Sequence, residues 1–364
     1  MSQTEELSLG VFHTSPAQRD RWRKVPKALG LIVVGFIVAW IVVLADRSWT
    51  IDTSNGSILA EPGDFVATLL AGLTIAGLYF VVSSGFTLIF GLMQTVNMAH
   101  GSFFLLSAYI AIELQQSMVG KSRSIRPEDV SLLAWFVPLL VGAAAVALLG
   151  VIIQQVFLKW NQGQDLRQAI ITVAVTVILA DQMLVQFGAI TKTMVFPSEV
   201  VHFFELFGGR IAVSRLFMLA VSLVVGASLW LWLNKTRMGM IIRAGVDDEK
   251  MVRALGINIS VVFGVTFFVG SFLAGVGGAM GASFSGAAVG VDGQWLLNSL
   301  VVVIIGGLGS LKGAAAGSLL LGMATNFLPA YLPSSITFAS TIVTFVILAI
   351  VLAVRPSGLY GRTT

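Results

Sequence analysis

The chain has 364 residues, of which 56% are hydrophobic and only 11% are charged, and its mean hydropathy is +0.91. An ordinary soluble domain carries about 25% charged residues, so this composition excludes that class. The absence of cysteine excludes disulfides, thiolate catalysis and cysteine-ligated metals. The net charge is +4, but the basic residues flank apolar runs and do not form a basic face, which argues against a nucleic-acid partner.

The N-terminal segment is polar and lacks the early apolar core of a cleavable signal peptide. We expect a cytoplasmic tail over 1–28 and a single transmembrane domain over 29–364. The apolar runs of that domain are 29–45, 65–91, 102–118, 132–158, 166–190, 211–233, 260–282, 295–311, 313–333 and 335–354. A span needs about 20 apolar residues. The runs therefore predict an all-α, polytopic transmembrane helical bundle of about 8–10 spans, with 102–118, 295–311 and 313–333 as broken or re-entrant helices.

Lysine and arginine set the expected orientation, because cytoplasmic loops carry an excess of both. The basic residues that precede the first run, occupy the loop 234–259 and close the chain are Arg19, Arg21, Arg23, Lys24, Lys27, Lys235, Arg237, Arg243, Lys250, Arg253, Arg355 and Arg362. Both termini and this loop are thus expected in the cytoplasm. Lys121, Arg123 and Arg126 fall outside in this scheme and are the group that disagrees with it.

Two stretches of small and polar residues, 91–101 and 306–313, each separate two apolar runs. Transporters often carry broken helices at corresponding places of two halves. The glycines expected at the breaks are Gly91, Gly101, Gly307, Gly309 and Gly313. Asn97 is expected to satisfy backbone groups freed at the first break, and His100 to tie that break down by a hydrogen bond. The histidines lack ligand spacing, so we expect no metal site.

Asp181 lies near the middle of the run 166–190, beside Gln182. A charge inside a span is costly unless it faces a cavity or a partner. One interpretation is contact with a transported solute, which makes Asn97, His100, Asp181 and Gln182 candidates for a translocation path. The other interpretation is a helix–helix hydrogen bond, or a place nearer the end of a shifted span.

The loop 234–259 is predicted to contain a short amphipathic helix. Its apolar positions are Ile241, Ala244, Met251, Val252 and Leu255, with Asp248 interrupting them. Glu249 and Arg253 stand four residues apart in the favourable order, and Gly256 supplies a stop after Leu255. A solvated basic loop is the simpler alternative, but it leaves the apolar positions facing water.

Ordered motifs run through most of the chain. They are Gly72-Leu-Thr-Ile-Ala-Gly-Leu-Tyr79, Gly85-Phe-Thr-Leu-Ile-Phe-Gly91, Asn97-Met-Ala-His100-Gly101, Met238-Gly-Met-Ile-Ile-Arg-Ala244, Leu255-Gly-Ile-Asn258, Gly306-Gly-Leu-Gly-Ser310 with Gly313, and Arg355-Pro-Ser-Gly-Leu-Tyr-Gly-Arg362. In this order, over roughly residues 65–362, they resemble the branched-chain amino acid ABC transporter permeases.

The resemblance implies an importer of branched-chain or related amino acids in the bacterial inner membrane. Its expected partners are a second permease subunit (a paralogue or a second copy), ABC ATPase subunits and a periplasmic solute-binding protein. It further implies that the loop 234–259 couples to the ATPase. The coupling residues are expected to be Arg243, Ala244, Asp247, Glu249, Leu255 and Gly256. The chain lacks a G-x-x-x-x-G-K-[ST] motif, so ATP is expected on a partner chain, with no cofactor or catalytic residue on this one.

Two alternatives stay open at this point. Urea and short-chain amide permeases share the same motifs, and Lys312 and the loop 121–129 depart from the commoner family pattern. A stand-alone channel or ion-driven carrier belongs to a different class, and such a protein has no need of a short helix presented to the cytoplasm. An intramembrane enzyme fits less well, because the sequence holds no paired acids, Ser/Lys dyad or H-E-x-x-H motif.

Overall fold

The computed structural model describes residues 62–120, 125–206, 208–331 and 339–361. From Glu61 onward the chain forms one compact unit. The tail 1–28 and the first predicted run lie outside the described residues. The helices are α1 (Pro62–Met93), α2 (His100–Val119), α3 (Leu132–Ile153), α4 (Asp165–Phe187), α5 (Val213–Lys235), α6 (Arg237–Asp247), α7 (Glu249–Ala254), α8 (Ile259–Phe284), α9 (Val291–Gly306), α10 (Leu311–Tyr331) and α11 (Ala339–Val354).

Short elements complete the chain between these helices. Three 3₁₀ turns lie at Pro127–Asp129, Lys159–Asn161 and Ser198–Val200, and a π-helical turn at Gln154–Leu158 extends α3. The strands β1 (Phe203–Leu206) and β2 (Gly209–Ala212) pair antiparallel, with Phe203 opposite Ala212.

Every predicted run from 65–91 onward coincides with a helix, which confirms the all-α class. Within the described ranges, α1, α3, α4, α5 and α8 are each long and apolar enough to cross a membrane. Helices α9 and α10 are long and apolar enough to cross a membrane only together, as a pair bent by 118°. This bend confirms the expected broken or re-entrant helix at 295–333. The described residues thus hold 5 or up to 6 such helices. The expected 8–10 crossings also counted the run 29–45, which lies outside the described residues, and the runs of α2 and α11, which are shorter or less apolar than the others.

Helix α8 is the central helix, with 67% of its most apolar stretch buried by the rest of the structure. It packs against α1, α2 and α3 through backbone contacts at glycines. A Cβ on Gly278 would collide with the carbonyl of Phe104, and a Cβ on Gly270 would lie 2.8 Å from the carbonyl oxygen of Gly85. Small residues at these crossings let helix backbones approach closely, and the van der Waals packing that results is one of the forces that associate helices in a bilayer.

The connections between helices gather at two ends of the bundle. At one, the α6–α7 end, Gly91 contacts Gly309 and Arg253 bonds Gln162. At the other, the hairpin end, Lys192 pairs with Glu113 at 2.6 Å and the N–H of Ser198 donates to the carbonyl of Val130. The C-terminal segment also lies at the α6–α7 end, because Gly361 packs on Gly307 beside Gly309. It therefore shares that end with the loop 234–259, as the alternating scheme requires, whereas residues 125–131 lie at the hairpin end.

Single cysteines offer a direct test of orientation, because the chain has none of its own. We expect an impermeant maleimide to label Glu199→Cys in intact spheroplasts, since Glu199 is exposed at the hairpin end. Lys250→Cys, exposed at the α6–α7 end, should label only after the membrane is opened. The reverse pattern would place the basic loop 234–259 outside and contradict the scheme.

Candidate functional site

The first break lies between α1 and α2. Helix α1 ends at Met93, and Gln94 takes a left-handed conformation with φ 55°. The side-chain oxygen of Asn97 accepts the N–H of Ala99 at 3.1 Å, and Nε2 of His100 donates to the carbonyl of Val82 at 3.0 Å. Both side chains are buried. As expected, the Asn97 side chain satisfies a backbone N–H that is left free at the break, and His100 ties the break to α1 through Val82.

A small cavity lies beside this break. It is lined by Ile89, Met93, Thr95, Val96, Asn97, Leu158, Gln168, Thr172 and Phe267. Two lining atoms, Nδ2 of Asn97 and Oε1 of Gln168, are buried and have no hydrogen-bond partner among the described residues. A buried polar atom without a partner costs free energy comparable to a lost hydrogen bond. Asn97 therefore keeps an unused donor at the cavity, whereas Nε2 of His100 is already engaged.

The predicted break glycines lie at close backbone approaches. A Cβ on Gly101 would collide with the carbonyl of Asp292, so the beginnings of α2 and α9 are in contact. A Cβ on Gly91 would lie 3.0 Å from the Cα of Gly309. The two breaks, far apart in the sequence, therefore touch each other at the α6–α7 end.

The break between α9 and α10 is closed by the C-terminal segment. Gly307 and Gly309 have φ values of +101° and +76°, which a side chain would strain, and Gly313 packs on Gly306. The N–H groups of Leu359 and Tyr360 donate to the last carbonyls of α9 at 2.8 and 2.9 Å. Carbonyls at a helix end have no partner within the helix, so this segment supplies the partners they lack.

Asp181 lies on the outward side of α4. The opposite side of that helix packs on the first break, where the N–H of Met98 donates to the hydroxyl of buried Thr172 at 3.2 Å. Asp181 follows Thr172 by nine residues, and at about 100° per residue this places it on the opposite face. Asp181 and Gln182 are exposed, and Asp181 makes no hydrogen bond or ion pair with any residue in the described ranges. A helix–helix hydrogen bond with another described residue is therefore not made.

The loop 234–259 forms two helices where one was expected. Thr236 caps α6 by accepting the N–H of Gly239 at 3.1 Å, and Asp248 caps α7 by accepting the N–H of Met251 at 3.0 Å. Asp248 itself is extended, with φ −155° and ψ 98°. Aspartate is a favoured N-cap residue because its side chain satisfies a free N–H of the first turn. Asp248 therefore divides the predicted helix in two.

The predicted apolar positions are divided between two environments. Val252 is buried, as is Ile242, which follows the predicted position Ile241 in the sequence. Gly245 lies against Leu92 at the end of α1. The remaining side of the two helices is exposed. We call it the α6–α7 face, and it consists of Met240, Arg243, Ala244, Asp247, Met251 and Leu255. Leu255 is 71% exposed. The stripe is thus not one continuous face, although most of its members remain accessible.

Charged and polar contacts hold α6 and α7 in place. Glu249 and Arg253 form the predicted i, i+4 ion pair at 2.6 Å, and Arg253 also reaches Gln162 at 3.3 Å. Arg243 donates to the side-chain oxygen of Asn234 at 2.8 Å. Gly256 has φ +79°, which confirms the predicted stop after Leu255. The α6–α7 face therefore has a defined shape in the isolated chain.

Two buried polar residues were missed from the sequence. Asp292, 7% exposed, accepts the N–H of Gly290 at 3.1 Å and the hydroxyl of Ser102 at 3.4 Å. A carboxylate in the first turn of a helix interacts favourably with the helix dipole. The position of Asp292 directly before an apolar run was therefore a sequence signal for the start of α9. Gln115 exchanges two 2.9 Å hydrogen bonds with the backbone of Val195. No sequence pattern pairs these two residues.

Comparison with known proteins provides independent information. The family model described as branched-chain amino acid transport system, permease component, matches residues 68–353. The high-affinity branched-chain amino acid transport system permease protein LivH of Escherichia coli K12 is 27% identical over 305 residues, which is 82% of this chain and 96% of that protein.

Two further organisms carry similar chains. The high-affinity permease protein BraD of Pseudomonas aeruginosa is 26% identical over 306 residues, 82% of this chain and 96% of its own. A probable branched-chain amino acid transport permease protein LivH of Methanocaldococcus jannaschii is also 26% identical over 306 residues, 80% of this chain and 92% of its own. No solved structure matches the chain.

Proposed function

The chain belongs to the branched-chain amino acid transport system permease family, as its motifs indicated, and from that membership we propose that it is the membrane-spanning subunit of a binding-protein-dependent ABC importer. The proposed solutes are branched-chain or related amino acids, because the similar proteins of Escherichia coli and Pseudomonas aeruginosa are named for that transport. A multi-pass helical bundle is suited to a transport subunit. The proposed location is the bacterial inner membrane with both termini in the cytoplasm.

The α6–α7 face carries the proposal of a coupled ATPase. Met251 and Leu255 are 58% and 71% exposed at an end of the bundle that also presents arginines and acids. Exposed apolar side chains rimmed by charges are typical of a docking surface. We assign this face to an ABC ATPase subunit, which supplies the ATP site. A stand-alone channel or carrier leaves the same face unexplained.

The translocation path is proposed to follow the outward face of α4, where Asp181 and Gln182 face away from the rest of the described residues. Asn97, which keeps an unused donor at the cavity, lies on the opposite, packed side of α4 and is proposed to support the path from behind that helix. His100 contributes by fixing the break, since it is buried and bonded to Val82. The other side of the path would come from a second permease chain, with solute delivered by a periplasmic binding protein.

Purification and reconstitution test this function. We expect the tagged chain, extracted from its host membranes, to carry an ABC ATPase and a second permease identifiable by mass spectrometry. Proteoliposomes of that complex should accumulate labelled leucine only with ATP and the binding protein present. Uptake of urea but not leucine would favour the amide-permease alternative. Leucine uptake by the chain alone, driven by an ion gradient, would contradict the importer.

A further inference from the structure

Helix α4 is the most weakly packed of the candidate spans. Only 11% of its most apolar stretch is buried by the rest of the structure, against 67% for α8. Its packed side reaches the first break through Thr172. Its last residue, Phe187, stacks on the ring of Tyr109 in α2, with the ring centroids 4.5 Å apart. The remaining surface of α4 is left uncovered by the residues that the structure describes.

The exposed surface of α4 combines one carboxylate with aliphatic groups. Val177, Leu184 and Val185 are 62%, 44% and 75% exposed. They lie four residues before Asp181 and three and four residues after it, so they flank the carboxylate on the same helix face. The result is a negative group surrounded by branched apolar side chains.

Lipid alone is a poor environment for this face. Asp181 precedes the end of α4, Phe187, by six residues, which at 1.5 Å per residue is about 9 Å of helix. The short side chain of aspartate does not span that distance to the membrane surface. A carboxylate within a span is costly unless it meets water, a cation or a polar partner. This face is therefore expected to be hydrated or to meet a positive group.

We propose that Asp181 binds the ammonium group of an amino acid as it moves along the outward face of α4. Val177, Leu184 and Val185 would contact the aliphatic side chain of the same solute. This inference rests on the proposed function and specifies its solute chemistry. An ammonium attached to a branched apolar group matches the surface in both charge and polarity. Urea and simple amides lack the cation, so they cannot form this ion pair with the carboxylate.

Three variants of the reconstituted complex test the site. Asp181→Asn keeps the size of the side chain and removes its charge, and Asp181→Glu keeps the charge. Val224→Asn on α5, where Val224 is 64% exposed, is the matched control for a polar amide on an exposed span. Leucine uptake, ATPase activity stimulated by leucine-loaded binding protein, and the ratio of subunits are measured for each.

We expect Asp181→Asn to lower leucine uptake about tenfold or more, because a charge-assisted contact is lost. Its subunit ratio should match that of the unaltered complex, which separates a loss of solute binding from a loss of assembly. Asp181→Glu should retain most uptake, and Val224→Asn should transport normally. Unchanged uptake in Asp181→Asn would overturn the proposal. Loss of the second permease from that variant would overturn it too, by assigning Asp181 to a contact between subunits.

Thiol accessibility gives a second, independent measurement. The chain has no cysteine, so Asp181→Cys and Val224→Cys each present one thiol on it. A charged methanethiosulfonate, detected on this chain by mass, should modify Asp181→Cys and not Val224→Cys, and leucine-loaded binding protein with ATP should slow the reaction. An unreactive Asp181→Cys would overturn a hydrated path. If the unaltered complex shows no ATP-dependent leucine uptake, the proposed function itself fails and the solute assignment fails with it.

Discussion

Leu255→Asp is expected to reduce uptake to background while the chain remains inserted and folded. Leu255 is 71% exposed and lies at the end of α7, so the substitution leaves the core of this chain intact. Docking of an ATPase would bury that side chain, and burying a leucine side chain stabilises a complex by about 1.5–3 kcal/mol. A carboxylate in its place would be buried without a partner, at a cost of about 3–5 kcal/mol. The complex should therefore weaken by about a hundredfold or more.

Ala244→Glu provides a second variant on α6, where Ala244 is exposed on the same face. Recovery of the ATPase with the tagged chain should fall for both variants. Ile190→Asp is the matched control, because Ile190 is 80% exposed at the hairpin end. It should retain ATPase recovery, which is the property that the α6–α7 face is expected to govern. Full uptake with normal ATPase recovery in both Leu255→Asp and Ala244→Glu would remove the α6–α7 face from the mechanism.

Gly101→Val is expected to cause the largest loss of stability. The added side chain would collide with the carbonyl of Asp292, a backbone atom that cannot rotate away. Overpacking of a well-packed interior costs about 1–3 kcal/mol, and a backbone collision belongs at the upper end or beyond it. Because α2 and α9 meet at this point, their separation should also displace the polar groups around Asp292. Thermal unfolding in detergent and the yield of assembled complex measure the effect.

Gly293→Val is the matched control for this substitution. Gly293 lies one residue after Asp292 on α9, and a Cβ there meets nothing within 4 Å. We expect its unfolding temperature to stay close to that of the unaltered chain. Equal stability of Gly101→Val and Gly293→Val would show that the contact between α2 and α9 is looser than the structure indicates.

The helices themselves were determined by the sequence. A run of about 20 apolar residues leaves its backbone no partner in a bilayer except its own helix, so the runs predicted every described span. Local capping was predictable for the same reason, because it depends on neighbours in the chain. Gly256 ends α7 as expected, and Glu249 pairs with Arg253 as their spacing indicated.

The faces of those helices were decided only by the tertiary structure. In a bilayer the lipid-facing and buried sides of a span are both apolar, so the sequence carries little pattern that says which side points inward. Asp181 was recognisable as an intramembrane acid, but its outward direction follows from the packing of Thr172 on the first break. The contact between Gly91 and Gly309 joins residues far apart in the chain, so no local pattern encodes it.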